Sequence, residues 1–95
     1  MHIISRKCLL ELAKKHHDYS AALESWYRIV KRTDFNSFDE LRQTFPGADK
    51  VGNLTVFNIG GNKARLIAAI HYNIHRVYIR HVLTHKEYDR GSWRK

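Results

Sequence analysis

The run Leu54-Thr55-Val56-Phe57-Asn58-Ile59-Gly60-Gly61-Asn62-Lys63-Ala64-Arg65-Leu66-Ile67-Ala68-Ala69-Ile70-His71-Tyr72 holds two segments rich in β-branched and aromatic residues, split by a turn. Gly and Asn tolerate the positive φ that a tight reversal needs, so Gly60-Gly61-Asn62 marks a hairpin. A third segment of the same character, Val77–Leu83, follows a second reversal at Asn73-Ile74-His75. Together they predict a meander of three antiparallel strands over Leu54–Ile59, Arg65–Tyr72 and Val77–Leu83. Within the middle strand, alternation puts Leu66, Ala68, Ile70 and Tyr72 on one face and Arg65, Ile67, Ala69 and His71 on the other. The first set suits helix packing; the second leaves Arg65 and His71 on an open face.

Upstream of this run the rhythm is helical. Cys8, Leu9, Leu12 and Ala13 recur at helical spacing after an N-cap at Ser5, predicting a helix over 6–16. A second helix runs from Ala21 to about Arg32, capped by Asp18 or Ser20. Its Leu23, Trp26, Tyr27 and Val30 form one buried stripe, and Lys31 and Arg32 suit the negative end of its dipole. The two helices read as an antiparallel pair. Ser37-x-x-Glu40 is a capping box opening a short helix with Phe38, Leu41 and Phe45, and Pro46-Gly47 stops it. The opening His2-Ile3-Ile4 reads as a brief edge strand or a lead-in. Helices first and strands later make an α+β domain, with N-terminal helices on one face of a small, mainly antiparallel sheet.

Ninety-five residues and 11.2 kDa fit one domain, 1–95. A single cysteine, Cys8, excludes an internal disulfide and a cysteine-based zinc site. No apolar run reaches the ~20 residues of a membrane span, and no signal-peptide core opens the chain, so a soluble cytoplasmic protein without membrane contact is expected. Seventeen Lys and Arg against nine Asp and Glu leave +8, and the charge is uneven. Residues 1–50 carry +2, whereas residues 51–95 carry eight cations against only Glu87 and Asp89. A small basic domain with its cations in one half carries the electrostatic footprint of a nucleic-acid binder.

The densest polar segment is Arg80-His81-Val82-Leu83-Thr84-His85-Lys86-Glu87-Tyr88-Asp89, joined by Lys63 and Arg65 beyond the Gly-Gly turn. RNA cleavage without a metal needs a base for the 2′-hydroxyl proton, cations for the phosphorane, and an acid for the leaving 5′-oxygen. His85 and Tyr88 with Arg65, Arg80 and Lys63 are chemically sufficient for it. The plainer reading has His85 and Tyr88 capping the last strand and packing on a helix. His71-x-x-x-His75 and His81-x-x-x-His85 have zinc-helix spacing, but in a strand residues four apart are about 13 Å apart, so no metal is expected. Gly60-Gly61-Asn62-Lys63 lacks the ending of a nucleotide-binding P-loop, and no cofactor is expected.

The segments Val56–Ala69 and Val77–Asp89 resemble the HigB toxins of the RelE superfamily, a similarity that extends from His2-Ile3-Ile4-Ser5 to Gly91-Ser92-Trp93. The resemblance implies a RelE-like fold and a type II toxin–antitoxin mRNA interferase. Such a toxin is an endoribonuclease that inhibits translation by cleaving mRNA on the ribosome, by metal-independent attack of the 2′-hydroxyl on the adjacent phosphate. It also implies a HigA-type helix-turn-helix antitoxin, with operator DNA reached only through the toxin–antitoxin complex. Carried over by position, Arg65 stabilises the transition state and Tyr88 stacks on a base or moves a proton. His85 serves as general base or acid, and Lys63, Arg80 and Lys86 contact RNA phosphates. RelE places lysines on the strand before the turn, where this chain has Val56, Phe57 and Asn58, so His85 is assigned by chemistry and not by match. The competing reading is a non-catalytic basic RNA- or DNA-binding module.

Overall fold

A computed structural model describes residues 1–4, 17–61, 63–91 and 93. The helix expected over 6–16, its Ser5 cap and its antiparallel pairing lie outside them. Five strands form one sheet in the order β1-β5-β4-β3-β2, where β1 is His2–Ile4, β2 Asp49–Val51, β3 Leu54–Ile59, β4 Ala64–His71 and β5 Arg76–Thr84. The β3–β4–β5 meander is antiparallel as expected. Two features differ from the sequence reading. Strand β1 adds in parallel along β5, so the sheet is mixed. Strand β2 is an additional antiparallel edge, joined to β3 by a hairpin at Gly52-Asn53 in which Gly52 has φ +60°. That turn demands a positive φ, which glycine adopts without strain.

Helix α1 spans His17–Arg32 and α2 spans Phe38–Thr44. Helix α1 already includes Asp18 and Ser20, which therefore do not cap it. Trp26 and Val30 are buried and Leu23 is half-buried, but Tyr27 is exposed, contrary to the predicted stripe; Lys31 Nζ lies 5.8 Å from its ring centre. Ala22 takes its place against the core. The last carbonyls of α1 are met by the chain's own first residue, not by Lys31 or Arg32. The ammonium of Met1 donates to the oxygens of Val30 (2.9 Å), Lys31 (3.3 Å) and Thr33 (2.9 Å) and pairs with Asp34 Oδ1 at 3.1 Å. A cation at this position complements the helix dipole. Ser37 caps α2 by accepting from the Glu40 N–H at 3.1 Å.

Both helices pack on the same sheet face. Trp26 and Val30 of α1 and Leu41 of α2 share one core with Phe57, Ile59, Leu66, Ala68, Val77 and Val82. Edge-on aromatic contacts run through it, Trp26 to Phe57 at 5.2 Å and Phe57 to Phe45 at 5.2 Å. Such pairs add to simple burial by about 0.5–1.5 kcal/mol each. No helix among the described residues is long and apolar enough to cross a membrane.

Tyr72, just past β4, turns its ring into this core. Burial raises its phenol above the ordinary 10.0, and the Thr55 hydroxyl pulls only weakly against this, its geometry short of a hydrogen bond. The fold thus favours the neutral phenol, so the unfolded chain ionises first as pH rises. Stability is therefore retained below pH 10.0 and falls above it until the folded phenol ionises too. Melting temperatures from pH 9 to 11 are expected to drop less steeply for Tyr72→Phe than for the wild type; parallel curves would show that this phenol carries none of the alkaline loss.

Candidate active site

The open side of the sheet acquires its site from an irregularity in β5. In register, Ile67 pairs with His81 and Ala68 with Ile79, leaving Arg80 as the extra residue of a β-bulge. The bulge shifts the alternation. Val77 and Ile79 face the helices before it and Val82 after it, so Tyr78, His81 and Leu83 share the opposite side. Arg80 itself is exposed.

Beyond β5 the chain turns directly into α3, His85–Arg90. Thr84-His85-Lys86-Glu87 forms a full capping box: the Thr84 hydroxyl accepts from the Glu87 N–H (3.3 Å), and Glu87 Oε1 accepts from the Thr84 N–H (3.1 Å). At the other end Gly91 takes the left-handed conformation, φ +72°, and donates to the Tyr88 carbonyl at 3.1 Å. His85 and Tyr88 therefore sit on a helix that the sequence reading, which ended the last strand at Leu83, did not include. The signal was present in Thr84-x-x-Glu87, the same pattern that marks α2.

Helix α3 folds back over the open face. Tyr88 stacks on Trp93 with ring centres 5.2 Å apart and planes 14° apart, and Trp93 Nε1 donates to the Tyr88 carbonyl at 3.0 Å. Trp93 is buried with Val56 and Ile67, and Val51, Leu54, Leu83 and Tyr88 pack around them in a second core. Ile67 is thus fully buried on the side expected to be open. The Arg65 guanidinium carbon lies 5.7 Å from the Tyr88 ring centre, and Arg65 Nη1 donates to the carbonyls of Ala64 (3.1 Å) and Gly61 (3.5 Å). An arginine against an aromatic face is held by the ring's quadrupole. Next to this stack, His81, Leu83, Glu87, Arg90 and Trp93 line an open cleft of about 180 Å³.

Of the expected site residues, Arg65 and Tyr88 are in contact. Lys63 is exposed, one residue before the Ala64–Thr84 pair, at the sheet end where α3 begins. His85 lies one helical turn from Tyr88, half exposed, with Nδ1 2.8 Å from Asp89 Oδ2. A carboxylate can only accept, so Nδ1 is the donor in this bond and Nε2 is the ring nitrogen outside it. Lys86 is exposed on α3, and Arg80 lies at the bulge, away from the Arg65–Tyr88 contact along β5. Asp89 and Trp93 were given no role by the sequence reading; His85-x-x-x-Asp89 becomes a pair only once α3 is read as a helix. The two members of the His71–His75 pair have separate partners: His71 packs edge-on to Tyr78 (5.3 Å), and His75 Nε2 lies 3.2 Å from Asn36 Oδ1.

Residues 19–91 match the family profile described as HigB_toxin, RelE-like toxic component of a toxin–antitoxin system. The chain belongs to the HigB toxin family. An mRNA interferase HigB from Escherichia coli O6:H1 (strain CFT073) is 39% identical over 93 residues, covering 95% of this chain and 90% of the relative. The mRNA interferase toxin HigB of E. coli K12 is 35% identical over 92 residues, covering 94% and 88%, and the Shigella flexneri mRNA interferase HigB has the same values. The family match includes β4 and α3, which carry Arg65 and Tyr88, and ends before Trp93. Replacing Trp93 by Ala opens the second core; urea unfolding is expected to show a loss of about 3 kcal/mol, as for other large-to-small aromatic changes. A loss under about 1 kcal/mol would mean that Trp93 does not hold α3 to the sheet.

Proposed function

We propose that this protein is an endoribonuclease toxin that cleaves mRNA on the translating ribosome and so halts protein synthesis. The observation that carries the reading is the packing of the Arg65 guanidinium on Tyr88, which lies one helical turn from His85 and next to its partner Asp89. His85 Nε2 takes the proton from the RNA 2′-hydroxyl, and the resulting oxygen attacks the adjacent phosphorus. Arg65 meets the charge that develops on the phosphorane, with Lys63, Arg80 and Lys86 contacting neighbouring phosphates. The bond to the 5′-oxygen breaks, and Tyr88 supplies the proton that this leaving group requires. The products are a 2′,3′-cyclic phosphate and a 5′-hydroxyl, and every proton is accounted for without a metal. Asp89 acts through His85 by fixing its ring.

The family description as the toxic component of a toxin–antitoxin system supports a neutralising partner, which we assign to a HigA-type helix-turn-helix antitoxin. Operator DNA is then contacted through the antitoxin, and both partners act in the cytoplasm. The names of the relatives support mRNA as the substrate.

Incubation with translating ribosomes, followed by mapping of RNA ends, is expected to yield 5′-hydroxyl and cyclic-phosphate termini. Arg65→Ala and His85→Ala should each lower the cleavage rate by about 10²-fold or more. Products with 5′-phosphates, or full activity in both variants, would overturn this mechanism. Binding of RNA without new ends would favour the non-catalytic module.

A further inference from the structure

The half of the open face that α3 leaves uncovered has a constellation of its own. In register, Arg76 of β5 stands between His2 of β1 and His71 of β4. Val77 and its neighbour Ile3 point into the helix-side core, so His2, Arg76 and His71 share the opposite side, and all three are exposed. The next row on that side is Ile4, Tyr78 and Ala69. Ala69 is small enough to leave room over the strand for the Tyr78 ring, which packs edge-on to His71 at 5.3 Å. Ile4 is 38% exposed beside it. No Asp or Glu occurs in β1, β4 or β5. Three nitrogen-bearing side chains thus stand in line beside an aromatic ring, with no carboxylate on the strands that hold them.

We infer that the row His2–Arg76–His71, with Tyr78 and Ile4, is a second binding subsite for single-stranded RNA, holding a phosphate on Arg76 and a base against Tyr78. This rests on the reading of the same face as an RNA-cleaving surface. Arg65 and His71 lie on one side of β4 six residues apart, a run of about 20 Å, so the row takes nucleotides away from the scissile bond. Arg80, extruded by the bulge, stands between the two. A cationic track with an aromatic platform is the recurrent means of binding a single strand without reading its sequence. An acidic protein segment would use the cations but leave the Tyr78 ring and Ile4 without a role.

Fluorescence anisotropy with a short 2′-O-methylated single-stranded RNA tests this directly, because that probe lacks the attacking hydroxyl and is not consumed. Tyr78→Leu is expected to weaken binding about tenfold and Tyr78→Phe to retain it. Arg76→Gln should weaken binding several-fold and reduce the slope of log affinity against log salt by about 0.7. Lys50→Gln, which removes a charge from β2 on the other side of the sheet, should bind as the wild type does. Wild-type affinity in both Tyr78→Leu and Arg76→Gln, or no salt-sensitive binding by the wild type, overturns the subsite. Weakened antitoxin binding with unchanged RNA affinity also overturns it and makes the row a protein-docking surface. Loss of the cleavage reading would show instead as uncut RNA in the ribosome assay, while this binding measurement stood unaffected.

Discussion

The Trp93 ring, buried against Val56 and Ile67 with Tyr88 stacked on it, couples the sheet to α3. Without that contact α3 is a six-residue helix with no buried residue of its own, far below the length at which a helix is stable in water. The capping box and the Gly91 turn set its start and stop, but only burial of Trp93 sets where it lies. Tyr88 reaches Arg65 as a consequence, since its carbonyl is bonded by Trp93 Nε1 and its ring is clamped by the indole. Core packing and site geometry are therefore the same interaction seen from two sides.

Strand β4 ends up covered on both faces over Leu66–Ala68, which explains why its sequence reads as a nearly continuous apolar run. The helix face is filled by α1 and α2, the other by the residues after β5. On the flank formed by β1, the far end of β4 and the start of β5, His2, His71 and Arg76 stay exposed. The sheet thus divides one face into a roofed half with the Arg65 stack and an unroofed half with Arg76 and Tyr78. The bulge at Arg80 marks the boundary, and the change of phase it imposes lets His81 and Leu83 line the cleft while Val82 stays in the core.

Much of this was legible in the sequence. Leu54–Ile59 is β3 to the residue, because its β-branched content and the glycines after it point the same way. Arg65 and Tyr88 were brought together by argument, and they touch. The parallel pairing of β1 was not legible, since a parallel neighbour is set by a long crossover and leaves no local turn signal. Tyr27 was misplaced because helical spacing fixes a stripe but not its width, and Ala22 took the position beside Leu23. Asp89 has no role in the sequence reading because no helix is assigned after Leu83, and without one His85 and Asp89 are not an i, i+4 pair. The bulge is invisible to alternation alone: Arg80-His81 reads as two polar positions in succession, and only the paired strand shows which one is extra.

The roof over Ile67 comes from residues that follow the whole sheet in the chain. During synthesis the strands leave the ribosome before the helix and indole that close them, so the nascent sheet passes through an interval with Val56, Ile67 and Leu83 bare. An uncovered apolar patch of this kind is a point of capture for chaperones or of self-association. A polypeptide cut short before Tyr88 has neither the roof over Ile67 nor the ring that Arg65 packs on.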